Sequence, residues 1–172
     1  MSSIERARAF ATRAHGKQRY GNAPYTVHLE RVLAVLNRAG VTDEAVLMAG
    51  LLHDTIEDTS VTRADLVAEF GEAVAAMVDA VSDGEGNTRA ERKVRPYGLI
   101  PNTPGAVVVK LADRIANVSA ALETEAARHL KRYVGEAEAF RRVLHRPGQA
   151  DILWRELEGL MALARSHLER QR

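Results

Sequence analysis

Residues 47–59, Leu47-Met48-Ala49-Gly50-Leu51-Leu52-His53-Asp54-Thr55-Ile56-Glu57-Asp58-Thr59, decide how this chain folds. Leu47 to Leu52 is apolar nearly all round a helix, so the helix is expected to be buried on most sides. Thr42 or Asp43 can cap its start, giving a helix from Glu44 to about Asp54. A buried apolar segment then delivers several polar groups in succession. Imidazoles and carboxylates are costly to bury without partners. A metal ion is the simplest partner for the adjacent His53 and Asp54. Residues four apart share a helical face, so His53 would sit above Glu57 and Asp54 above Asp58 if the helix continues.

The pattern on either side is helical nearly throughout. Ile4, Ala7, Phe10, Ala11 and Ala14 recur at helical spacing and predict a first helix up to about His15. Gly16 to Ala23 reads as a polar loop, and Pro24 can open a second helix that ends at Gly40. Thr62 starts a helix ending near Phe70-Gly71, and Glu72 to Val81 forms the next. Ser82 to Asn87 is turn-rich, and Thr88 to Tyr97 is basic and helical. Pro101 and Pro104 bracket another loop. Val107 to Val109 alone would suggest a strand, but Lys110 to Leu122 continues in helical period, so Ala106 to Leu122 is read as helix. Thr124 to His145 and Ile152 to Leu168 complete the set, separated by Pro147-Gly148. The fold class is all-α. Without repeats, low-complexity segments or linkers, residues 1–172 read as a single domain.

Composition narrows the function. Hydrophobic residues make up 46% but aromatics only 5%, so the core must be mostly Leu, Val and Ala. The net charge of +1 argues against a general nucleic-acid binder but leaves room for a local basic pocket. The absence of cysteine excludes disulfides, cysteine zinc sites and a thiol nucleophile. Met1 to Arg8 lacks an apolar signal core and no apolar run approaches a membrane span, so a cytoplasmic location is expected.

Two further segments offer donors to match His53 and Asp54. His28 follows Pro24-Tyr25 near a helix start. Asp113 ends the apolar run Val108-Val109-Lys110-Leu111-Ala112, with Asn117 four residues on along the same face. Two imidazoles and two carboxylates suit Mn, Fe, Zn or Mg, and the lack of thiolates disfavours a structural zinc site. Glu57 or Asp58 could take a proton from an attacking water. Lys17, Arg19 and Arg89 lie in loops or helix starts near these motifs and are candidates for a basic pocket that binds an anion. Asn117 could bind a ribose or hold a carboxylate. His15 reads as a surface or supporting histidine, and His129, His145 and His167 as solvated.

The ordered set His28, His53-Asp54, Asp113 resembles the HD-domain metal phosphohydrolases. The resemblance is greatest to the alarmone hydrolase domain of RelA/SpoT-type enzymes and to their small stand-alone relatives. It rests on Gln18-Arg19, Pro24-Tyr25-x-x-His28, the run His53 to Thr59, Phe70-Gly71, Glu91-Arg92-Lys93 and Val109-Lys110-Leu111-Ala112-Asp113-Arg114-x-x-Asn117, and covers roughly Ile4 to Tyr133. It implies a compact HD-domain helical bundle that removes the 3′-pyrophosphate of guanosine tetra- or pentaphosphate. It also implies one Mn²⁺ per chain, held by His28, His53, Asp54 and Asp113. Glu57 and Asp58 match the family's catalytic acidic pair, and Tyr133 falls where an aromatic residue helps hold the nucleotide. A chain of this length would be a hydrolase only.

The segment after Asn117, the Ser82 to Asn87 loop and the Arg95 to Pro104 region depart from the family pattern. They keep other substrates open: an adenosine alarmone such as pppApp, or the 2′-phosphate of NADPH. A reading from another class is a non-catalytic nucleotide-binding module. The retained ligands and acidic pair argue against it. The expected partner is a small nucleotide, with no nucleic acid and no membrane. The sequence does not define an oligomeric state.

Overall fold

The computed structural model describes residues 1–171. Helix α1, Ser3–His15, opens on a reciprocal cap in which Ser2 and Glu5 bond each other's backbone. A two-stranded antiparallel hairpin follows, β1 Arg19–Tyr20 and β2 Ala23–Pro24, with Arg19 opposite Pro24 and Tyr20 opposite Ala23. The next helices are α2 Thr26–Arg38, α3 Glu44–Leu52, α4 Thr55–Asp58, α5 Arg63–Phe70 and α6 Glu72–Val81. Then come α7 Arg89–Leu99, a 3₁₀ turn at Ile100–Asn102, α8 Ala106–Glu123, α9 Ala127–Leu144 and α10 Asp151–Arg170.

Helix α8 is the axis of the bundle. It packs against α2, α3, α6, α9 and α10, and its buried residues run from Ala106 to Ala121 on nearly every side. That is why Val107 to Val109 is helical despite its β-branched composition: an α-helix satisfies its own backbone where no strand partner exists. Helix α3 is buried as its apolar run predicts, with Asp43 capping it through the Ala45 amide. Gly50 lets α3 approach α2 closely, since a Cβ there would stand 2.5 Å from Leu36 Cδ1. Among the described residues no helix is long and apolar enough to cross a membrane.

Three local expectations are corrected. Pro24 does not open a helix. It ends a hairpin strand, where a missing N–H is harmless, and Tyr25 precedes the first residue of α2. The helix through Leu47 does not continue past Leu52: His53 and Asp54 form a turn, and α4 starts afresh. Thr124 ends α8 rather than starting α9.

Helix α7 runs through Pro96 to Leu99. A proline cannot donate to the carbonyl four residues back. That carbonyl, of Arg92, instead accepts from the Gly84 amide at 2.9 Å. The unused acceptor thus ties down the Ser82–Asn87 loop, whose Asp83 reaches the acidic pair described below.

Candidate active site

His28 stands in the first turn of α2, His53 and Asp54 form the turn between α3 and α4, and Asp113 lies on α8. Their donor atoms converge. His28 Nε2 is 3.2 Å from His53 Nε2, 3.7 Å from Asp54 Oδ2 and 3.4 Å from Asp113 Oδ1. His53 Nε2 is 2.9 Å from Asp54 Oδ2 and 3.6 Å from Asp113 Oδ1. Both histidines are only 1% exposed. The break after Leu52 is what lets His53 and its neighbour Asp54 face the same point, which successive residues of one continuous helix cannot do.

The donor set fits a divalent cation. His53 Nδ1 donates to the Gly50 carbonyl at 2.8 Å, which leaves Nε2 of the neutral ring a bare lone pair. That lone pair faces the Asp54 carboxylate oxygen at 2.9 Å and His28 Nε2 at 3.2 Å, a convergence of ligand atoms that a cation can bind. The field there is strongly negative. Burial disfavours the His53 cation, yet Asp54 and Asp113 together hold its pKa well above the ordinary value. Burial likewise disfavours the Asp113 anion, but Lys110 and the two histidines keep its pKa well below the carboxylate range.

Neighbours fix these groups. Tyr25 donates its hydroxyl to Asp54 Oδ2. Asn117 donates to Asp113 Oδ1 and accepts from the Tyr20 hydroxyl at 2.9 Å. Burial pushes the Tyr20 pKa up to about 12, so it remains a donor. Of the two uses expected for Asn117, holding a carboxylate is the one formed. Lys110 likewise pairs with Asp113, at 3.4 Å.

Glu57 and Asp58 border a polar cleft of about 190 Å³ over the His/Asp cluster. Glu57 accepts from the Asp83 amide at 2.9 Å, and Asp58 from the Gln18 side chain at 2.8 Å. Partial burial raises the Glu57 pKa, the Asp83 amide opposes that, and the Asp83 and Asp54 charges add to it. Arg89, Lys93, Lys110, Arg114 and Arg132 also line the cleft. Four of these cations have carboxylate partners: Arg89 and Arg114 meet on Glu136, Lys93 pairs with Asp83, and Lys110 with Asp113. Among the described residues Arg132 has none and bonds the Tyr133 hydroxyl at 2.9 Å.

The cleft therefore gathers His28, Asp54, Glu57, Asp58, Arg89, Asp113, Asn117 and Tyr133 from the sequence expectations, with His53 beneath it. Lys17 and Arg19 are not among its lining residues. Lys17 is exposed beyond α1, and the Arg19 guanidinium folds back onto the Asn22 carbonyl of its own hairpin. Tyr25, Arg114 and Arg132 were not anticipated as cleft residues. His15 is buried beside the site, and His145 packs on Trp154 rather than standing in solvent.

Known proteins share these features. The HD domain model matches residues 7–97. The chain is 36% identical to a GTP pyrophosphokinase of Streptomyces coelicolor over 167 residues, 93% of this chain but 19% of that protein. It thus spans about a fifth of the length of such relatives. It is 40% identical over 114 residues to the human guanosine-3′,5′-bis(diphosphate) 3′-pyrophosphohydrolase MESH1, covering 63% of this chain and 64% of that protein. A solved structure of a metazoan SpoT ortholog described as hydrolysing ppGpp superposes with a TM-score of 0.80 at 28% identity, over 95% of this chain and 96% of the other. With the domain model matched over more than half its length, and the His/Asp cluster assembled inside and just beyond that match, the chain belongs to the HD-domain family.

Proposed function

We propose that this chain is a metal-dependent 3′-pyrophosphohydrolase of guanosine tetra- and pentaphosphate, with residues 1–172 acting as one HD hydrolase domain. The observation that carries the reading is the convergence of His28, His53, Asp54 and Asp113 beneath a cleft bordered by the Glu57–Asp58 pair and walled by cations. The relatives named for this reaction, and the fold they share, support it.

His28, His53, Asp54 and Asp113 would hold one Mn²⁺, which when bound supplies Lewis-acid polarisation of a phosphoryl oxygen. Glu57 or Asp58 accepts the proton of the water that attacks the 3′-linked phosphorus, and the other orients that water. The bond between phosphorus and the ribose 3′-oxygen breaks, giving GDP or GTP and pyrophosphate. Arg132 meets the phosphates, the carboxylate-paired Arg89, Lys93 and Arg114 add positive field from the cleft wall, and Tyr133 holds the Arg114 and Arg132 guanidiniums against its ring. Asn117 acts through Asp113.

The test is to incubate Mn²⁺-loaded protein with ppGpp, its adenosine counterpart and NADPH. Products are resolved by chromatography, with Glu57→Gln/Asp58→Asn as control. Pyrophosphate release from ppGpp, absent in the control, is the expected result. Turnover confined to the adenosine compound or to NADPH would move the substrate, and no turnover of any would sink the enzymatic reading.

A further inference from the structure

We propose that His15, outside the metal-binding and acidic groups, is a positioning residue that sets both Asp58 and Asp54 through two separate contacts of one buried ring. The proposal rests on the acidic-pair and metal roles given above.

His15 is the last residue of α1 and only 5% exposed. Its Nδ1 lies 2.8 Å from Gln18 Oε1, and the Gln18 Nε2 lies 2.8 Å from Asp58 Oδ2. The polarity of this relay is fixed by chemistry. A carboxylate only accepts, so the Gln18 amide nitrogen donates to Asp58, its oxygen faces back, and His15 must donate from Nδ1. The opposite side of the ring is used differently. It stacks on Tyr25 with centroids 4.4 Å apart and planes 23° apart, and Tyr25 donates its hydroxyl to Asp54. His15 Nε2 has no partner among the described residues.

The backbone locks the relay in place. The Gln18 amide bonds the His15 carbonyl at 2.9 Å, and the Tyr25 amide bonds the Gln18 carbonyl at 3.1 Å. The hairpin between α1 and α2 thus presents Gln18 and Tyr25 side by side to the two faces of the site. Because Nε2 is unpartnered and buried, a phenyl ring can replace the imidazole with the loss of only one polar contact, the donor to the half-exposed Gln18.

Two substitutions separate the two contacts. His15→Phe keeps the ring against Tyr25 and removes the donor. His15→Asn keeps a donor near Nδ1 and removes the ring. Gln18→Met cuts the relay at a half-exposed position that tolerates change.

The experiment measures kcat and KM on whichever nucleotide the wild-type chain hydrolyses, with Mn²⁺ affinity and the Tm of metal-free protein. His15→Phe and Gln18→Met are each expected to lower kcat about tenfold, the scale for losing an outer-shell partner, with KM and Mn²⁺ affinity unchanged. The double variant is expected to be no worse than either alone, in kcat or in Tm. His15→Asn is expected to restore kcat toward wild type but weaken Mn²⁺ binding through Asp54. Wild-type kcat in His15→Phe, or additive Tm losses in the double variant, would overturn the relay. Unchanged Mn²⁺ affinity in His15→Asn would overturn the Tyr25 arm. A wild-type chain that hydrolyses none of the nucleotides would overturn the enzymatic reading and the positioning role with it.

Discussion

His28 and His53, 25 residues apart in the chain, face each other across 3.2 Å through their Nε2 atoms. With the His53 Nδ1 proton committed to Gly50, no ring hydrogen of His53 bridges the gap in the neutral state. A divalent ion should therefore stabilise the fold by mass action. At a free ion concentration a hundredfold above Kd the gain is about 2.7 kcal/mol. For a chain of this size that raises Tm by roughly 5–10 °C. Thermal melts with Mn²⁺ and with a chelator check this, and Asp113→Asn should remove most of the shift. A shift of the same size in that variant would place the ion elsewhere.

Three of the four proposed ligands were legible because they follow apolar runs, His53 and Asp54 after Leu52 and Asp113 after Val108–Ala112, while His28 stood out only by its place after Pro24-Tyr25 near a helix start. Helices were legible wherever an amphipathic period ran for several turns. The hairpin was not, because strands of two residues carry no period, and Gly16 to Ala23 has loop composition. The misreading of Pro24 follows, since proline suits a helix start and an edge strand equally. The turn at His53 was equally hidden: α3 stops without a glycine or proline. Tyr25, Arg114 and Arg132 enter the cleft through tertiary packing of α2, α8 and α9, which spacing along one helix does not encode. Arg19 looked available only because its Asn22 partner is a feature of the hairpin.

With Glu57 as the member of the acidic pair that takes the proton, the reaction should show an acid limb above the ordinary glutamate range. Its pKa is raised by partial burial and by the Asp83 and Asp54 charges, so the active carboxylate forms at a higher pH than the usual 4.5. The linkage has the opposite sense for stability. A carboxyl with a raised folded pKa contributes stability that is full below the unfolded pKa and lost as pH rises through the folded one. Glu57→Gln should therefore remove activity at every pH. In metal-free protein it should raise Tm near neutrality but not at about pH 4, in the unperturbed carboxylate range. Paired melts at the two pH values test this, and an equal effect at both would dismiss the charge as the cause.

Arg132 should contribute to substrate affinity rather than to the chemical step. It is the cleft cation without a carboxylate partner among the described residues, whereas Arg89 and Arg114 are both committed to Glu136. A charge-assisted hydrogen bond to phosphate is worth about 1.5–3 kcal/mol, so Arg132→Ala should raise KM roughly tenfold or more. The turnover number should stay near wild type, because among the described residues Arg132 makes no hydrogen bond or ion pair with the acidic pair and bonds Tyr133 instead. Glu136→Gln should do the reverse, lowering KM by releasing two guanidinium groups. Steady-state kinetics at fixed ionic strength distinguish these outcomes, and a kcat loss in Arg132→Ala with KM unchanged would contradict the assignment.

Two glycine-to-alanine changes should move stability in opposite directions. Gly105 precedes α8 with φ +80°, and a Cβ there would stand 2.5 Å from Met77 Sδ and 3.1 Å from Val46 Cγ2. Gly105→Ala meets both a left-handed backbone and a filled space, a cost of about 1–3 kcal/mol. That corresponds to a fall in Tm of roughly 2–12 °C. Gly135 lies on the exposed side of α9, and nothing stands within 4 Å of its added Cβ. An interior helical glycine costs about 1 kcal/mol relative to alanine, so Gly135→Ala should raise Tm by a few degrees. Asp113 stands two turns beyond Gly105 on α8, so Mn²⁺ affinity of the folded Gly105→Ala protein should be retained. Thermal melts and metal titrations of the two variants check both signs. A Gly105→Ala protein as stable as wild type would mean that α8 does not need the turn that starts it.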